Sequence, residues 1–169
     1  DTGELRPWGA LLAEADLEIR ADAYADATAR PDVTGFAAQV AEVRVDPETG
    51  NVDLLKFTTA HDIGTIINPV GHQGQINGGV MQGVGYALME EICVERGQVT
   101  TTNFADVKFP TTGDLPELKT VLLDPFGGVG PYNVKSIGEN ATIPVAAAIA
   151  NAVEDAVGVR IKDLPITAE

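Results

Sequence analysis

Glu139 has the sequence surroundings most suggestive of chemistry in this chain. It follows Gly138 in a loop flanked by apolar residues and precedes a strongly apolar run, so partial burial is expected. A carboxylate there has two uses. It is either an anion near a helix start, stabilised by the N-terminal dipole, or a general base whose proton affinity is tuned by its surroundings. Acids near helix starts are common, and the pattern alone leaves both uses open.

A second feature is the helix expected over roughly 75–92, with Gly74 just ahead of it and Gly78, Gly79, Gly83 and Gly85 within it. Each interior glycine costs about 1 kcal/mol relative to alanine, so bare backbone must serve a purpose there. Gln75, Gly79, Gln82 and Tyr86 share one face at helical spacing, with Gly78 and Met89 at its edge. Ile76, Val80, Val84, Ala87 and Leu88 form the apolar side. Primary amides both donate and accept, which suits a ligand rich in ring nitrogens and oxygens. Equally, the glycines could serve close packing, with the amides satisfied by neighbouring backbone.

Two nucleotide motifs fail on inspection. Gly130 followed by Lys135 and Ser136 imitates a phosphate loop, but Val134 stands where its second glycine belongs, and Pro131 lacks a backbone donor. Gly83 and Gly85 lack the third glycine of a dinucleotide fingerprint, because Leu88 occupies that position. His61 and His72, eleven residues apart, have no supporting ligand spacing and read as structural or solvated residues. Cys93, the one cysteine, reads as an inert core thiol. No metal ligand set is expected.

The elements that must position these residues follow from periodicity. Residues 8–15 read as a short helix, and Leu17, Ile19, Ala21 and Ala23 alternate as in a half-buried strand. A second strand is expected over 36–46, with a pattern slip near Val40 and Ala41 that suggests a bulge or two buried faces. Pro47 to Gly50 reads as a turn, and 52–60 as the returning strand. Asn68 and Pro69 read as a turn. A strand pair over 93–101 and a short strand over 118–123 follow. A glycine-rich stretch with Gly127, Gly128 and Gly130 then leads to a helix over 143–157, with Thr142 as cap, Pro144 in the first turn and Gly158 past its end. This order predicts an α+β fold, a mixed β-sheet packed against two main helices.

The chain has 169 residues, 44% of them hydrophobic, which is one domain's worth of core over 1–169. Aromatics make up only 5% against 18 glycines, so the core is built from small aliphatics. A net charge of −14 argues against nucleic acid and anionic membrane surfaces as partners. The single cysteine fits a reducing, cytoplasmic setting. No apolar run is long enough to span a membrane, and the opening Asp1, Thr2, Gly3, Glu4 has no signal-peptide pattern and no initiating methionine, as expected of a piece of a longer chain.

Taken in order, the residues resemble a family. His61, Asp62, Ile63, Gly64 with Ile67, Asn68, Pro69, then Gly74, Gln75, Gly78, Gly79, Gln82, Gly83, Gly85, then Pro110, Thr111 and Asp114, Leu115, Pro116 each match weakly. Together with Gly130, Pro131, Lys135, Ser136, Ile137, Gly138, Glu139, the run 148–153 and Leu164 to Thr167, they are specific. About 35–167 resembles the C-terminal segment of the molybdopterin-binding subunit of the xanthine dehydrogenase and aldehyde oxidase family, the molybdenum hydroxylases.

That resemblance implies a molybdenum-cofactor-binding domain in which the pterin dithiolene holds the metal. It implies oxidative hydroxylation of an aldehyde or an aromatic N-heterocycle such as a purine, with oxygen from water. Electrons would pass to iron–sulfur clusters and FAD on partner domains or subunits. Glu139 would be the general base. Gln75 would hydrogen-bond the pterin, the backbone of Lys135, Ser136, Ile137 and Gly138 would line the cofactor, and Gln82 joins them by its shared helix face. The family's usual small residues are replaced by Tyr132, Asn133 and Val134, and Asn140 and Ala141 follow the glutamate, so the resemblance assigns no substrate. Because family subunits are several times longer, the expected partner is the rest of the molybdenum subunit, and the chain alone is expected to fold without holding cofactor or turning over substrate. The competing reading is a non-catalytic scaffold module that keeps the fold without the cofactor.

Overall fold

The computed structural model describes residues 5–16, 18–24, 35–124, 128 and 131–168. They fall into two compact units, Asp1–Pro31 and Asp32–Glu169. The first unit carries helix α1 (Trp8–Glu14), none of whose residues is buried; Trp8 is 73% exposed. The strand expected from the alternation over 17–23 is not formed. Residues 18–24 carry no regular structure and are exposed, because alternation yields a strand only where a neighbouring strand takes its hydrogen bonds. Leu17 and the interruption at 30–32 lie outside the described residues.

The second unit begins with a hairpin of β1 (Ala37–Val45) and β2 (Val52–Asp62). Its turn is set by Asp46, whose Oδ1 accepts the N–H groups of Glu48 and Thr49, and by Gly50 at φ +70°, a conformation glycine adopts without steric cost. The register shift falls between Glu42 and Val43, two residues later than the hydrophobic pattern suggests. Beyond it Ala41, Gln39 and Ala37 stand opposite Phe57, Thr59 and His61.

Helix α2 (Pro69–Leu88) starts six residues before the expected Gln75 and ends four before Ile92. Asn68 and Pro69, read as a turn, form its N-cap and first helical position: Asn68 Oδ1 accepts the Gly71 N–H at 2.9 Å. The Met89 and Glu90 N–H groups both return to the Gly85 carbonyl, closing the helix there. Next come the small hairpin β3 (Val94–Glu95) and β4 (Gln98–Val99) and a four-residue helix α3 (Phe104–Val107) that periodicity could not reveal. Cys93 is half-buried beside that hairpin rather than in the core.

Strand β5 (Glu117–Leu123) then pairs parallel to β2, giving the mixed order β1-β2-β5. Helix α4 (Val145–Val157) starts two residues later than expected, with Pro144 at the cap position and no side-chain cap. It ends at Gly158, φ +75°, whose N–H bonds to the Glu154 carbonyl. α4 packs on β1 and α2, and α2 packs on β5, so both main helices cover the sheet. The core is Phe57 from the sheet, Ile76, Val80, Val84 and Ala87 from α2, Ala141, Val145 and Ile149 around α4, and Ile166 from the tail. An α+β domain with a mixed sheet and two main helices is what the sequence predicts. Among the described residues, no helix is long and apolar enough to cross a membrane.

Candidate cofactor-binding site

The glycines of α2 divide into two groups according to what an added methyl would meet. At Gly83 it would fall 2.5 Å from Val145 Cβ, and at Gly79 3.0 Å from Ala141 Cβ. These glycines let α4 and the segment before it approach the helix backbone. At Gly74 and Gly78 the methyl would meet nothing within 4 Å, and both residues are exposed. The helix therefore carries one set of glycines for internal packing and another on an uncovered face with Gln75 and Gln82, both also exposed.

The mixed face also carries hydrogen bonds, and they converge on residues 138–142. Gln75 Nε2 donates to the Gly138 carbonyl at 2.8 Å, 63 residues away in sequence. Thr142 Oγ1, expected as a helix cap, instead donates to the Gly79 carbonyl at 3.1 Å, and Tyr86 OH donates to the Thr142 carbonyl at 2.7 Å. Burial pushes the Tyr86 phenol further above its ordinary range, so it remains a donor at neutral pH. From the sheet side, Gln39 Nε2 donates to the Ala141 carbonyl at 2.8 Å and to Thr59 Oγ1 at 3.2 Å. Thr59 Oγ1 lies 2.6 Å from Nε2 of His61, which is buried and therefore less readily protonated than usual. His61 is thus a core histidine in a polar chain. His72 is half-buried, and its Nδ1 has no partner among the described residues.

The approach to Glu139 is anchored at the end of β2. Asp62 and Lys135 form an ion pair at 2.5 Å with their side chains only 6% and 7% exposed. Asp62 Oδ1 also accepts the Gly64 N–H, and the Lys135 N–H bonds to the Ile63 carbonyl. The Lys135 hydrogen bond, with burial opposing it, holds the Asp62 carboxyl below its ordinary value. Gly64 and Val134 form an antiparallel bridge, and Thr65 N–H bonds to the Asn133 carbonyl. Gly127 and Gly130 lie outside the described residues.

Of the residues expected to line a cofactor, Lys135 has both its ammonium and its N–H engaged inside the chain. By contrast, the N–H groups of Ser136, Ile137 and Gly138 take no partner among the described residues. Gln75 and Gly138 are brought together, and Glu139 adjoins them. Gln82 is exposed and does not join this hydrogen-bonded set. Glu139 is exposed rather than partly buried, and its carboxylate makes no hydrogen bond among the described residues. It also stands six residues before α4, whose first turn carries no acid, beyond the one turn over which a helix dipole acts. The residues that periodicity and motif spacing did not mark as supports of this loop are Asp62, Gln39 and the pair Tyr86 and Thr142. The available signal was Asp62 two residues before Gly64, an Asx-turn pattern.

Among the described residues, no three His, Cys, Asp or Glu side chains converge. The donor set is one of amides, carbonyls and a carboxylate, which fits a heterocyclic cofactor that brings its own metal ligands.

The chain belongs to the molybdopterin cofactor-binding domain family, whose model matches residues 5–116. It is 37% identical over 152 residues to the putative xanthine dehydrogenase molybdenum-binding subunit of Escherichia coli, covering 89% of this chain and 20% of that protein. The large subunit of nicotine 6-hydroxylase of Paenarthrobacter nicotinovorans is 37% identical over 131 residues, with 75% and 16% covered. The structure of aldehyde oxidoreductase from Desulfovibrio gigas superposes with a TM-score of 0.71 at 32% identity, covering 78% of this chain and 14% of that one. The chain thus spans about a fifth or less of these relatives and corresponds to a segment of a molybdenum-binding subunit of the xanthine dehydrogenase and aldehyde oxidase type.

Proposed function

We propose that this chain is a catalytic segment of a molybdenum hydroxylase, acting within a larger subunit and complex on a small aldehyde or aromatic N-heterocycle. Iron–sulfur clusters and FAD on other domains or subunits would carry electrons away. The observation that carries this reading is the Gln75 to Gly138 hydrogen bond. It joins the two separate stretches singled out for cofactor binding and leaves Glu139 beside them.

The bound molybdopterin supplies the two-electron redox chemistry; the chain's own residues bind, orient and move a proton. Gln75 donates to Gly138 through Nε2, which leaves Oε1 to accept a hydrogen bond from the pterin. The N–H groups of Ser136, Ile137 and Gly138 are available donors toward the same ligand, and the Lys135 backbone lines it through its carbonyl. Gln82 contributes a further amide from the same exposed face. Glu139, exposed and with no hydrogen bond to its carboxylate among the described residues, accepts the proton lost as a water-derived oxygen attacks the substrate carbon. The distance of Glu139 from α4 counts against a purely dipolar role.

The test is Glu139→Gln in the complete enzyme. We expect unchanged molybdenum content and a loss of turnover on the order of 10²–10⁴-fold, as for removal of a general base. Retained turnover would reject the base assignment.

A further inference from the structure

We propose that the buried Asp62–Lys135 ion pair is a positioning clamp for the loop that presents Glu139, an inference resting on the reading of Glu139 as base. Lysine and aspartate are almost never buried unless paired, and here both are more than nine-tenths buried, 73 residues apart in sequence. Such a pair is poorly explained by stability alone, since a well-packed apolar pair does as well or better. What an ion pair adds is register, because a slip of the loop would leave a charge buried without its partner. The surrounding bonds serve the same registration. Asp62 Oδ1 takes the Gly64 N–H at 3.2 Å, and the Lys135 N–H donates to the Ile63 carbonyl at 3.0 Å. Gly64, at φ +62°, has the Asn133 carbonyl packed where a side chain would begin.

From this anchor the chain runs three residues to Gly138, whose carbonyl is held by Gln75, and Glu139 follows. The loop is thereby fixed at both ends of the 135–138 stretch, once by charge against β2 and once by an amide on α2. Asp62 and Lys135 act on the reaction only through that geometry, so they are positioning residues.

The test compares Asp62→Asn with the double variant Asp62→Asn/Lys135→Met in the complete enzyme. The single variant takes the Asp62 carboxylate away from the buried Lys135 ammonium; the double removes both charges of the pair. We expect the double variant to recover wild-type Tm and molybdenum content while kcat stays about 10- to 100-fold down at unchanged KM, the scale of a small misplacement of a catalytic group. Amide exchange should rise about tenfold over 131–142 and not over 149–157 in both variants. Recovery of kcat together with Tm in the double variant would overturn the proposal, as would failure to recover Tm, since either makes the pair a stability element only. Unchanged exchange over 131–142 would overturn it as well. Glu139→Gln measured alongside separates the two inferences: its retained turnover would remove the base, while the exchange contrast still reports on the clamp.

Discussion

Adding one methyl group at two glycines of the same helix should shift stability in opposite directions. In Gly78→Ala the new carbon meets nothing within 4 Å, so only the backbone responds, and an exposed helix interior gains about 0.8–1 kcal/mol when alanine replaces glycine. In Gly83→Ala the same gain is opposed by contacts of 2.5, 2.6 and 2.9 Å to Val145 Cβ, Cγ2 and Cγ1. Val145 is fully buried at the start of α4 and branched at the very atom approached, so it cannot swing aside. Overpacking of this kind costs about 1–3 kcal/mol, and with no flexible neighbour the upper part of that range applies, leaving a net loss of about 1–2 kcal/mol. The two variants should therefore differ by about 2–3 kcal/mol. For a chain of this size, where 1 kcal/mol moves Tm by about 2–4 °C, Gly78→Ala melts a few degrees above wild type and Gly83→Ala clearly below it. Urea unfolding followed by circular dichroism reads both free energies. Equal shifts of the same sign would refute the division of the α2 glycines into packed and open sets.

Gln75→Leu should lower the stability of the chain by about 0.5–1.5 kcal/mol, the net worth of one hydrogen bond, and reduce molybdenum per subunit in the complete enzyme; full loading would remove Gln75 from the cofactor site. Stability should also fall with acidification in two stages. His61 has a lowered pKa because burial disfavours its charged form, so its contribution is complete above about pH 6.5 and declines as pH falls below that toward its folded value. Asp62, lowered chiefly by the Lys135 hydrogen bond, contributes fully above the ordinary carboxylate range and is lost as pH falls through and below it. A Tm series from pH 8 to about pH 3 on wild type and His61→Gln checks this, since the variant should lose the upper stage and keep the lower. The 169-residue chain on its own should hold no molybdopterin, because Gln75, Gln82, Ser136, Gly138 and Glu139 of its candidate site are all exposed; tightly bound cofactor on the purified chain would contradict this.

What could be read from the sequence was whatever local periodicity or turn chemistry determines. The Asp46–Gly50 turn, the apolar stripe Val145, Ile149, Val153 and the Gly158 stop each carry their own signal. The alternation over 17–23 carried the same kind of signal and misled, because pairing is a tertiary event that an alternating pattern cannot supply. The Asn68–Pro69 pair misled in the other direction: the same dipeptide that starts turns is also a helix cap followed by its preferred first residue. At the site, glycine and glutamine spacing pointed to a face that binds something. Yet whether those groups meet a ligand or the chain itself is decided by residues 138–142, far away in sequence. Thr142 shows this most clearly, since its hydroxyl serves Gly79 rather than the helix it precedes. The partner of Lys135 was likewise invisible, because nothing local links it to Asp62 across 73 positions.

The central claim, that this chain is a working part of a molybdenum hydroxylase, is tested most directly by elemental analysis of the native complex recovered through this polypeptide from its own cell. About one molybdenum per chain together with iron is expected, as cofactor-bearing partners require. A complex without molybdenum, from cells shown to make the cofactor, would contradict it.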